Sequence, residues 1–133
     1  AYCYLFTLNP MVMPNPIQGL EIATTDIERA KQFYQTVFDL SFEFVEMPDS
    51  KMYMFGAPDA MGSSGCLVHG EGYVPSGDGT VVYFECKDLN EELSHVEAAG
   101  GRILIPKTDI GEFGYFAHAT DTEGNRIGLH SDQ

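Results

Sequence analysis

Two stretches share one organisation and decide the fold: GLEIATTDIERAKQFYQTVFDL (residues 19–40) and VVYFECKDLNEELSHVEAAGGR (residues 81–102), set 62 residues apart. Each opens on a strand-like run, passes an aspartate and continues as an amphipathic helix. In the first, Thr25 with Glu28 fits a capping box, and Asp26 adds negative charge to the first turn. Ile27, Ala30, Tyr34, Val37 and Phe38 recur at helical spacing and define one buried stripe. In the second, Asp88 and Glu91 take the capping role, Leu89, Leu93 and Val96 form the stripe, and Gly100 provides a left-handed stop.

Three strand-like stretches follow each helix. They are 41–46, 51–56 and 65–69 in the first copy, and 102–106, 114–119 and 126–130 in the second. The pattern is βαβββ twice, an α+β fold, with module one over about 15–70 and module two over about 80–131. Between them, GEGYVPSGDG (residues 70–79) carries the glycines and proline of a linker. Residues 1–13 read as an N-terminal extension to a single domain over 14–133. Their apolar patch has no basic segment ahead of it, unlike a secretory leader.

A chain of 133 residues supports one domain, and 44% hydrophobic with 20% charged residues is a globular composition. With a net charge of −13 and only seven Lys and Arg, nucleic acid is excluded as a partner, because a row of phosphates could not be neutralised. The sequence has no apolar run long enough for a membrane span. Cys3, Cys66 and Cys86 are odd in number and lack CxxC spacing, which points to thiols in a reduced, cytoplasmic setting.

With this organisation, the chain resembles the glyoxalase/bleomycin-resistance/dioxygenase group, the vicinal oxygen chelate superfamily. Four motifs carry the resemblance, in order and at the right spacing: TTDIERAKQFYQTVFDL, DLNEELSHVEAAGGRIL, PKTDIGEFGYFA and DTEGNRIGLH. It implies two tandem βαβββ modules curled into a half-open barrel whose concave cleft takes a small molecule, often beside a divalent metal. Homodimers are common in the group, with modules paired within one chain or across two.

By resemblance, a metal ligand lies seven residues before each helix-opening aspartate and seven after the aspartate of the final turn. Those places are Gly19, Val81 and Gly128, and the repeat offset carries the last back to Cys66. Glycine and valine have no donor atom, and one thiol is no site. No metal and no other cofactor is therefore expected.

Strand alternation puts Glu21, Tyr83, Glu85 and His130 on the face of those four places. Glu21 is the candidate general base, with Tyr83 and His130 as hydrogen-bonding or proton-transfer partners. Glu85, Lys107, Cys66, Phe55 and Tyr115 are candidate ligand contacts, and the two glycines of PKTDIGEFGYFA shape a loop over the cleft. His95 reads as solvated, His69 ends its strand beside a glycine loop, and His118 has no assigned facing. The expected function is small-molecule binding without the metal, as in the bleomycin-resistance proteins. The alternative is a lyase or isomerase of the glyoxalase type, metal-free or, as the lesser option, metal-dependent, with Glu21 as general base.

Overall fold

In the computed structural model, which describes residues 15–57 and 59–133, both βαβββ units are present. The proposed extension over 1–13, with Cys3, lies outside the described residues. The first unit comprises β1 (Gly19–Ala23), α1 (Ile27–Phe38), β2 (Glu43–Met47), β3 (Ser50–Phe55) and β4 (Ser64–Gly70). The second comprises β5 (Val82–Glu85), α2 (Leu89–Val96), β6 (Arg102–Asp109), a 3₁₀ turn (Gly111–Phe113), β7 (Tyr115–Thr120) and β8 (Arg126–Ser131).

Each unit makes its own four-stranded sheet, ordered β1-β4-β3-β2 and β5-β8-β7-β6. In both, the first strand pairs parallel with the last and the remaining pairs are antiparallel. Among the described residues, the two sheets are not joined by a strand ladder, and the barrel they form is open.

One apolar core serves both units. Ile27, Ala30, Phe33, Tyr34 and Val37 of α1 meet Leu89, Leu93 and Val96 of α2, together with Leu67, Tyr53 and Phe55 of one sheet and Ile127, Leu129, Ala117 and Ala119 of the other. Phe84 of β5 stacks on Phe38 of α1 at 4.3 Å between ring centroids and tilts toward Phe55 of β3 at 6.3 Å. Burial of these side chains, at roughly 25 cal/mol per Å² of apolar surface, holds the units together.

The α1 cap differs from the expected box. Asp26 is the N-cap, accepting from the Arg29 amide, and the Thr25 amide and hydroxyl instead donate to Glu123. Glu123 belongs to the turn between β7 and β8, so the second unit caps the helix of the first. It also accepts from the Asp26 amide and the Arg29 guanidinium. Burial opposes its charge, but Arg29 and the amides of Asp26 and Thr25 outweigh that and draw its pKa from 4.5 down to about 2. Nearby, the Tyr34 hydroxyl donates to Asp121, and the Asn125 amide donates to the Ala23 carbonyl, further ties between the units.

Candidate functional site

The helices pack on one face of each sheet, and the strand register fixes which side chains share the other. In the second sheet Tyr83 lies beside Gly128, which lies beside His118; one step along, Glu85 lies beside His130, which lies beside Phe116. Tyr83, Glu85, His130, Phe116 and Ile110 line a recess of about 510 Å³, within the range of small-molecule sites. Three expected residues, Tyr83, Glu85 and His130, are thus brought together.

Why β8 carries a glycine at position 128 is answered by Tyr83. A Cβ built there would sit 2.5 Å from Cδ1 and Cε1 of the Tyr83 ring. Without a side chain at 128, the ring lies flat across β8 and reaches β7, where its hydroxyl oxygen is 2.7 Å from Nε2 of His118. Arg126, two residues before Gly128 on the same face, approaches Nδ1 of His118 at 3.0 Å. Both His118 and Arg126 were missed from sequence, although the short Asp121–Asn125 turn pairs Thr120 with Arg126 and so sets His118 opposite Gly128.

The two histidines of this face carry different charge. A guanidinium only donates, so Arg126 requires a lone pair on Nδ1, and His118 is neutral. Burial first, and Arg126 second, lower its pKa below the ordinary 6.5. His130 instead sits between two acceptors, the Phe113 carbonyl at 2.6 Å from Nε2 and Glu85 Oε1 at 2.7 Å from Nδ1. Both nitrogens donate, which is the imidazolium form; the Phe113 carbonyl and then Glu85 raise its pKa. His130 thereby ties the 3₁₀ turn, with the exposed Phe113, to β8.

The remaining candidates lie elsewhere. Glu21 is on the first sheet, beside Cys66 and in line with Met54, and it lines a separate recess of about 230 Å³ with Val82, Asn125 and Arg126. It is exposed, so the burial on which its general-base role rested is not there. Cys66 is buried, and burial together with the Glu21 charge pushes its thiol pKa up. Phe55 is not a ligand contact but a core residue, because its strand parity turns it toward the helices. Tyr115 likewise packs against the core, and Lys107 lies 4.4 Å over its ring rather than in the recess. His69 is bonded to the Thr24 carbonyl, and His95, half-exposed, faces Glu91.

The residues present do not fit the divalent centre that the resemblance implies. Of the four places, Gly19, Val81 and Gly128 have no donor side chain, and the space over Gly128 is taken by the Tyr83 ring. Among the described residues, no three His, Cys, Asp or Glu side chains gather where they could hold an ion.

Comparison with known proteins agrees with the architecture. Residues 16–129 match the profile of the Glyoxalase/Bleomycin resistance protein/Dioxygenase superfamily. A glyoxylase-like domain-containing protein of Didymella fabae is 33% identical over 119 residues, spanning 86% of this chain and 92% of that protein. Putative glyoxylase CFP32 of Mycobacterium bovis is 26% identical over 83% of this chain, which spans only 43% of that protein. Among solved structures, glyoxalase I from Zea mays superposes with a TM-score of 0.69 at 19% identity, over 91% of this chain and 47% of the maize chain. TnmS3, an antibiotic binding protein from Streptomyces sp. CB03234, gives 0.69 at 21% identity, over 92% and 99% of the two chains.

Proposed function

Because this chain belongs to the glyoxalase/bleomycin resistance protein/dioxygenase superfamily, we propose that it binds a small organic molecule in the Tyr83–Phe116–His130 recess, without a divalent metal. The observation that carries this reading is the Tyr83 ring lying over Gly128, where the group's last-strand ligand would stand. An aromatic ring and its hydroxyl replace a metal ligand, which turns a coordination site into a stacking and hydrogen-bonding surface. Ile110 and Phe116 supply apolar contact, and Tyr83 and Glu85 supply polar contact.

Exposed Met47 and Met54 on the first sheet, and Phe113 beside the second, are apolar surface of the kind a second copy covers. We place the complete cleft in a homodimer, which sedimentation would test. The setting is reducing and cytoplasmic, where Cys66 and Cys86 stay free thiols. The Streptomyces relative described as antibiotic binding makes antibiotics the first ligands to screen.

Two measurements test the proposal. Elemental analysis after gentle purification should find no stoichiometric Zn, Ni, Fe or Mn, and one bound metal per chain would overturn the metal-free reading. A thermal-shift screen over antibiotics and aromatic metabolites should yield stabilising ligands whose effect Tyr83→Ala abolishes. Stabilisation that survives this substitution would place binding elsewhere.

A further inference from the structure

We propose that His118 and Arg126 are positioning residues that fix the Tyr83 hydroxyl as a hydrogen-bond donor, so that the recess selects apolar ligands presenting a carbonyl-type oxygen. The inference rests on the recess being the binding surface and names its ligand chemistry.

The direction of the chain of bonds follows from the donors. Arg126 Nη1, 3.0 Å from His118 Nδ1, has only protons to offer, so the ring proton of His118 is on Nε2. That Nε2–H donates to the Tyr83 oxygen at 2.7 Å. The phenolic oxygen therefore serves as acceptor toward His118, and its own proton is turned away from it. Tyr83 makes no other hydrogen bond among the described residues and is 51% exposed, so this proton is left for a ligand. Accepting a bond polarises the O–H and strengthens it as a donor.

Surrounding groups fit the same selection. Both nitrogens of His130 are occupied by Glu85 and the Phe113 carbonyl, leaving the Tyr83 hydroxyl as the uncommitted donor among the residues lining the recess. On β6 the partner of His118 is Ile105, which is uncharged and does not compete for the imidazole. Phe116, 5.5 Å from His118 between ring centroids, closes the third side with an apolar edge. Glu85 and His130 offset each other's charge at 2.7 Å, and Arg126 sets its guanidinium against Nδ1 of His118, on the opposite side of that ring from the Tyr83 hydroxyl.

A matched pair of probes reads the donor directly: 2-acetylnaphthalene and 2-ethylnaphthalene, alike in shape, of which one has a carbonyl oxygen. The wild-type protein should bind the ketone about 10-fold more tightly, the worth of one well-placed hydrogen bond. Tyr83→Phe should erase the preference, Arg126→Met should weaken it, and Arg126→Lys, which still donates, should keep it. Equal affinity of the wild type for both probes overturns the donor assignment while leaving the recess as the binding surface. Binding of neither probe overturns the recess itself, and the relay with it. Independently of ligand, ¹⁵N spectra of the imidazoles should show His118 protonated on Nε2 and bare on Nδ1; the opposite tautomer overturns the relay.

Discussion

Replacing Gly128 by alanine puts a methyl group against the Tyr83 ring. The built Cβ lies 2.5 Å from two ring carbons and 2.8 Å from a third, whereas carbons in contact rest near 3.5 Å, so the ring must retreat by about 1 Å. Half exposed, Tyr83 can swing outward, but it then loses the bond to His118, worth about 1 kcal/mol. It also returns part of its buried face to water, roughly 50 to 100 Å² at about 25 cal/mol per Å², or about 1.3 to 2.5 kcal/mol. Alanine in a strand recovers about 0.5–1 kcal/mol relative to glycine. The expected net cost is about 1 to 3 kcal/mol. In a Tyr83→Ala background the clash is absent, and Gly128→Ala should be neutral or stabilising by about 0.5 kcal/mol. Urea unfolding of the four proteins gives the coupling. Equal cost in both backgrounds would refute the idea that Gly128 exists to seat Tyr83.

Two further outcomes follow from charges the fold holds. Glu123→Gln should destabilise the protein at pH 7 by about 2 to 3 kcal/mol, the gap between pKa 4.5 and about 2 discounted for the half-exposed Arg29. A lowered carboxylate pKa contributes fully above 4.5 and is lost as pH falls toward 2, so variant and wild type should converge near pH 2; an equal gap at pH 7 and pH 2 would sink the argument. His130 has the opposite sign. Its raised pKa stabilises the tie to Phe113 and Glu85 below the ordinary 6.5, and that contribution is lost as pH rises through the raised value, with Asp132 adding to the same effect. Amide exchange at Gly111–Phe113, corrected for its intrinsic pH dependence, should accelerate as pH rises above the ordinary 6.5 in the wild type and not in His130→Gln. Parallel profiles would show that the imidazolium does not hold the turn.

What sequence could and could not reveal separates along physical lines. The helices and their strands were legible because hydrophobic period and capping aspartates are local, and the 62-residue repeat tested each reading twice. Tyr83, Glu85 and His130 were legible on one face because alternation within a strand is also local. Phe55 and Tyr115 were misread for a related reason: aromatic character alone does not say whether a strand residue looks toward a helix or away from it, and both look toward the shared core. Contacts between the units were beyond local reasoning. Thr25 and Glu28 satisfied a capping pattern, yet Thr25 is bonded to Glu123, a partner 98 residues away. The same holds at the recess, where Gly128 read as the loss of a metal ligand. Seen with Tyr83 lying across it and His118 beyond, that glycine has a positive structural role: with no side chain at this point of β8, a ring from β5 reaches β7 and joins three strands in one contact.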